Sequence, residues 1–99
     1  MRGNFITVDD LIKDLDQYTD GSDVFIVGEI MNVEVYTCFR FNSVELCASD
    51  PFFYGVDVRV DKTIMPSLAV GDKVWVRGCL VKYNFSFHVR AKVIQKNRY

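Results

Sequence analysis

The chain is poor in residues that commonly anchor chemistry: of its 99 residues, one is histidine, one tryptophan, two are proline and three are cysteine. Cys38, Cys47 and Cys79 are odd in number and lack C-x-x-C spacing, so neither a disulfide framework nor a zinc knuckle is indicated, and buried or idle thiols are expected. No apolar run approaches the roughly 18 residues that a transmembrane helix needs. A secretory leader is not evident either, because Arg2 is followed by only a few apolar residues before Asp9 and Asp10; a cytoplasmic location is expected. The lone histidine, His88, lies between Phe87 and Val89, with no serine or cysteine spaced as a nucleophile and base. No glycine-rich loop follows a strand and opens a helix, so nucleotide hydrolysis finds no support. These gaps argue against an enzyme, imply no cofactor, and leave one small domain spanning residues 1–99.

A hydrophobic share of 49% and an aromatic share of 14% are too high for a disordered chain. The net charge of −1 conceals a division. Residues 1–50 carry three basic against ten acidic side chains, a balance of −7, and residues 51–99 carry nine against three, a balance of +6. After Asp72 come Lys73, Arg77, Lys82, Arg90, Lys92, Lys96 and Arg98 with no acid among them. Such a division creates a local basic field on a nearly neutral molecule, unless acidic and basic segments fold side by side.

Val8, Leu11, Ile12, Leu15 and Tyr18 recur at helical spacing and predict an amphipathic helix over residues 7–19, capped by Thr7. Asp9, Asp10, Lys13, Asp14 and Asp16 fill its other side, spread over a solvated face rather than gathered as metal ligands. From residue 23 to 96 the pattern is strand and turn. Strands are predicted at Val24–Val35, Asn42–Ala48, Phe53–Asp61, Lys73–Val81 and Phe85–Gln95. In the third, Tyr54, Val56, Val58 and Val60 mark the inner face and Gly55, Asp57, Arg59 and Asp61 the outer one. In the fifth, the alternation breaks at Val93 and Ile94, where a bulge is predicted.

Two segments, Val24 to Ile30 and Val74 to Leu80, repeat one pattern: alternating apolar residues, then an inward glycine, Gly28 or Gly78. Inward glycines let strands coil tightly in a narrow barrel. Lys62 to Asp72 is a longer link in which Pro66 limits any helix to about a turn. The fold class predicted is all-β with one N-terminal helix, a five-stranded Greek-key OB-fold barrel; an SH3-like barrel is the alternative.

Thr7-Val8 leading to Leu11, Ile12 and Leu15, the run Val27 to Asn32, and the run Val70 to Gly78 resemble the N-terminal OB domain of the exonuclease VII large subunit. The chain is similar also to the anticodon-binding type of OB-fold. The resemblance implies a domain that grips single-stranded DNA while catalysis resides elsewhere. It departs from the exonuclease pattern at the second strand, where Phe39-Arg40-Phe41-Asn42 replaces the usual glycine, histidine and aromatic cluster.

Single-stranded nucleic acid, DNA or RNA, requires cations along its phosphates and rings for its bases, each stacked base contributing about 1–3 kcal/mol. The first inter-strand loop offers Tyr36, Phe39, Arg40 and Phe41, and the last offers Lys82, Tyr83 and Phe85. Phe53 and Arg59 face outward by parity on the third strand, and Arg77, His88, Arg90 and Lys92 do so on the last two. Against this, a barrel this small needs aromatic plugs, which would claim about half of these rings, and Glu34, Glu45 and Asp57 would repel phosphate beside the groove. A second possibility is a protein-interaction module, a homodimer or an accessory subunit of a larger nucleic-acid-processing complex, through outward Phe25, Val27 and Trp75, unless the helix covers them with Val8, Leu11 and Leu15.

Overall fold

The computed structural model describes residues 5–49 and 54–97. Phe53, the first residue of the third predicted strand, lies outside the described residues. The elements, in chain order, are β1 (Ile6–Thr7), α1 (Val8–Lys13), a 3-10 turn (Leu15–Gln17), β2 (Asp23–Glu34), β3 (Phe41–Cys47), β4 (Val56–Asp61), β5 (Lys73–Lys82) and β6 (Phe87–Lys96). Strand β2 is long enough to serve two neighbours. Its first half pairs antiparallel with β5, from Asp23 opposite Cys79 to Glu29 opposite Lys73, and its second half pairs with β3. Strand β3 continues to β4, β4 meets β6 in parallel at Val58–Val89 and Arg59–Arg90, and β6 returns to β5. This circuit is a closed five-stranded barrel, as its sequence pattern predicts. Strand β1 adds a short parallel edge to β2, with Ile6 opposite Ile26.

Inward positions fill the barrel with Val44 and Leu46 from β3, Val56, Val58 and Val60 from β4, and Val74, Val76 and Leu80 from β5, all fully buried. Burying each such side chain contributes about 1.5–3 kcal/mol. Tyr54, predicted on that inner face, is 91% exposed. The strand begins only after Gly55, where a Cβ would come within 2.5 Å of the Leu46 carbonyl oxygen, so Tyr54 precedes the ladder rather than belonging to it.

The helix is shorter than predicted. Thr7 caps it as expected, accepting the Asp10 amide at 3.1 Å while the Asp10 carboxylate accepts the Thr7 amide. It ends at Lys13 because Asp14 leaves the helical conformation (φ −100°, ψ 15°), and the chain tightens into the 3-10 turn. Its apolar side does not cover Phe25, Val27 and Trp75. Val8 and Leu11 instead enter the barrel core, with Ile12, Leu15 and Tyr18 packed behind them.

Both inward glycines mark close approaches. A Cβ on Gly28 would stand 2.9 Å from Val8 Cγ2, so this glycine makes room for the helix plug. At Gly78 the neighbour is β6 itself. The β5–β6 register slips between Arg77, opposite Val93, and Gly78, opposite Ala91, leaving Lys92 as the extra residue of a bulge. The predicted break in alternation is real and lies one residue earlier than Val93. A second slip in β2 leaves Met31 unpaired between Ile30 and Asn32. There the 62–72 link closes the gap, with the Ile30 amide donating to Asp72 and the Gly71 amide donating to Ile30. That link contains no helix.

All three cysteines are free. None is buried: Cys38 is exposed, and Cys47 and Cys79 are half-buried. No helix among the described residues is long and apolar enough to cross a membrane.

Candidate nucleic-acid interface

The outer face of β3 and β4 is built by simple alternation. Phe41, Ser43 and Glu45 face out from β3 while Asn42, Val44 and Leu46 face in, and Asp57, Arg59 and Asp61 face out from β4. Register then fixes three outward rows: Phe41 opposite Asp61, Ser43 opposite Arg59, and Glu45 opposite Asp57. The middle row extends to β6, because Arg59 lies beside Arg90.

One end of this face is aromatic. Tyr36, Phe39 and Phe41 form a cluster in which Phe39 and Phe41 are stacked at 5.1 Å with 16° between their planes, and Tyr36 meets both edge-on. The Arg59 guanidinium lies 5.0 Å from the Phe41 ring centroid, a cation–π contact that fixes the arginine over the face. Phe39 is half exposed and keeps its other side free of the cluster. Lys62, which the sequence pattern does not single out, holds the loop: its ammonium donates to the Tyr36 carbonyl and its amide to the Arg40 carbonyl at 2.9 Å. The signal for it is positional, since it directly follows the Phe41–Asp61 pair that closes the ladder. The Asp61 carboxyl is held below its ordinary value by the Thr63 hydroxyl, then by the Thr63 amide, with the Arg40 charge adding to both.

The other end carries the β5–β6 hairpin. Its turn is closed by the Tyr83 amide donating to the Ser86 carbonyl at 2.8 Å. Tyr83 is 60% exposed and Phe85 is fully exposed, so neither is a core plug; nor is any other described loop ring named above, Phe41 being half-buried at most.

Four predicted contacts are placed differently. His88 keeps its outward parity, opposite Val81, but is buried rather than open: Tyr83 covers it, ring to ring at 5.8 Å, while its neighbour Val89 enters the core between β5 and β4. Burial lowers its pKa below the ordinary 6.5, with the Arg59 charge and then the Arg90 charge adding to that and Asp57 opposing it. Lys82 is a clamp, its ammonium donating to the Leu15 and Tyr18 carbonyls at 3.2 and 3.1 Å on either side of the 3-10 turn. Lys92 is the bulge residue and turns to Asp23, 3.6 Å away. Arg77 lies between Phe25 and Val93 on the β2–β5–β6 wall, apart from the β3–β4 face. Of the basic residues predicted, Arg40, Arg59 and Arg90 are the ones gathered near the aromatic cluster.

That opposite wall is apolar. Phe5 packs on Phe25 with centroids 4.0 Å apart, and Phe25 meets Trp75 edge-on at 5.5 Å. Phe5 thus takes the covering role predicted for the helix, while itself remaining half exposed. A separate pocket of about 510 Å³ opens where α1, β2 and β5 meet, lined by Thr7, Val8, Gly28, Cys47 and Lys73 among others.

No family model and no curated protein matches the sequence. Solved structures do match in shape. A hypothetical protein from E. coli, YgiW, superposes with a TM-score of 0.69 at 18% identity, over 96% of this chain and 91% of its own. A chain of the S. pombe Stn1–Ten1 complex gives 0.64 at 17% identity, over 78% of this chain and 59% of its own. Asparaginyl-tRNA synthetase from Pyrococcus horikoshii gives 0.63 at 15% identity, with 78% of this chain matching 20% of that enzyme. The exonuclease VII subunit is not among these neighbours. Identities this low speak for architecture alone, and with the strand circuit they settle it: the chain is an OB-fold barrel with an N-terminal helix.

Proposed function

We propose that the domain binds single-stranded nucleic acid, DNA in preference to RNA, and carries out no catalysis itself. The observation that carries this reading is the adjacency of Arg59 and Arg90 on the outer face, with exposed Phe39 at one end and exposed Tyr83 and Phe85 at the other. Cations in a row can follow phosphates, and rings without a protein partner on one side can stack bases. The preference for DNA rests on the sequence motifs alone. A tRNA synthetase among the structural neighbours supports nucleic acid as a partner class for this barrel. The test is titration of fluorescent oligo-dT and oligo-U at two salt concentrations. Binding should weaken as salt rises, and oligo-dT should bind more tightly; no binding to either at low salt overturns the proposal.

A second reading is a protein contact, a homodimer included, through Phe5, Phe25, Val27 and Trp75. The specific observation for it is that α1 plugs the barrel, so that this wall has Phe5 over Phe25 in place of the helix, and Phe5 is itself half exposed. The Stn1–Ten1 neighbour is part of a protein complex, which supports the same class of partner. Light scattering over a concentration range should then show species larger than a monomer, and a strict monomer counts against it.

A further inference from the structure

We infer that Asp57 is a built-in competitor for nucleic-acid phosphate, occupying the donors that the ligand needs and tempering its affinity; this rests on the nucleic-acid reading above. The Asp57 carboxylate accepts a hydrogen bond from the Ser43 hydroxyl and lies 3.6 Å from Arg59 Nε. Ser43 and Arg59 stand directly opposite each other in the register, and a hydroxyl beside a guanidinium is a donor pair suited to a phosphodiester. The carboxylate therefore sits where a phosphate oxygen would sit. Its charge is not what the ladder needs, because its directly opposed partner is Glu45, and like charges in opposed positions destabilise a ladder.

The Phe41 ring also holds the Arg59 guanidinium, 5.0 Å from its centroid, and so favours the position beside Asp57. Arg90, its neighbour on β6, makes no ion pair among the described residues. The row thus has one open cation and one already engaged. A phosphate reaching Arg59 must displace Asp57 or place a second anion beside it. Removing the Asp57 charge while keeping its shape and its acceptor oxygen should free the second cation.

The experiment compares oligo-dT binding by the wild-type domain, Asp57→Asn and Glu45→Gln at two or more salt concentrations, with thermal melts to establish folding. Competition predicts that Asp57→Asn binds roughly tenfold tighter and that its log K against log salt steepens by about 0.7, one additional phosphate contact on a single strand. Glu45→Gln removes an equal charge from the adjacent position without touching Arg59, so it should gain clearly less. Equal gains in the two variants would mean that bulk charge alone matters and would overturn the inference, as would no gain in Asp57→Asn. Should the amide variant fail to fold, Asp57→Ser keeps a small acceptor and makes the same comparison. Wild-type binding with an unchanged Asp57 variant refutes only this inference, whereas no binding by any of the proteins refutes the nucleic-acid reading and this inference with it.

Discussion

A Cβ placed on Gly78 would stand 2.1 Å from the carbonyl oxygen of Arg90 and 2.9 Å from the Ala91 Cα, so β5 and β6 touch backbone to backbone at this point. The contact lies beside the bulge at Lys92, where β6 gains a residue and β5 does not. Backbone atoms cannot swing aside as a side-chain end does. Gly78→Ala should therefore destabilise the domain by about 3 kcal/mol, at the upper end of overpacking costs. Gly28→Ala meets only the Val8 methyl and the Leu46 side chain, and should lose about 1–2 kcal/mol. Urea unfolding of the two variants checks the order, which reverses if Gly78 merely relieves strand curvature.

Lys82 tests a different kind of contact. Its ammonium joins the Leu15 and Tyr18 carbonyls at the start and the end of the 3-10 turn, and its amide donates to Asp20 at 2.9 Å, so it ties the N-terminal plug to the end of β5. Lys82→Met keeps the aliphatic stem and removes the donors. Stability should fall by about 1–2 kcal/mol, the range for hydrogen bonds made by a charged donor at a half-buried site. Oligonucleotide affinity should change less than about twofold, far below the tenfold that a direct phosphate contact would cost at low salt. A melt together with a binding titration separates the two roles.

The parts of this fold that were legible in the sequence are those set by neighbours two to four residues apart. Val56, Val58 and Val60 declare an inner face by alternation, and Thr7 with Asp10 declares a helix start. The helix end was not legible, because it depends on Asp14 leaving the helix and on Lys82, more than sixty residues away, receiving the carbonyls that follow. The burial of His88 was not legible for a similar reason. The ring keeps its outward side, but Tyr83, from the turn that precedes β6, seals what alternation would have left open. The Phe41–Arg59 contact was half legible: both residues have outward parity, but their meeting depends on the β3–β4 register.

Buried His88 makes stability depend on pH in a defined window. Its folded pKa lies below 6.5, chiefly through desolvation, so the unfolded chain binds the proton more readily. Stability contributed by keeping this ring neutral is fully present above 6.5 and is lost as pH falls from there toward the folded value. Between pH 7.5 and 5.5 the melting temperature of the wild type should decline, and His88→Gln, which cannot take up a proton, should flatten that slope. Asp61 acts lower on the scale, its folded pKa lying below 3.8, so it contributes little to the slope in this range. A His88→Gln variant with an unchanged slope would assign the decline to other groups.

The ring residues differ in what they support inside the domain, and that difference predicts how binding and stability separate. Phe85 is fully exposed and Phe39 half exposed, whereas Phe41 lies between Phe39 and Arg59 and is half-buried. Phe85→Ala should leave the melting temperature within a degree or two, since surface substitutions commonly cost under about 0.5 kcal/mol. Its effect on oligo-dT affinity should be about 1–3 kcal/mol, the loss of one stacked base. Phe41→Ala should weaken both, because it removes the stack under Phe39 and the ring that positions Arg59. If Phe85→Ala leaves affinity untouched while Phe39→Ala lowers it, the ligand occupies only the β2–β3 loop end of the face. If both leave it untouched, stacking is not the mode of recognition, and the cations of the Arg59–Arg90 row act alone.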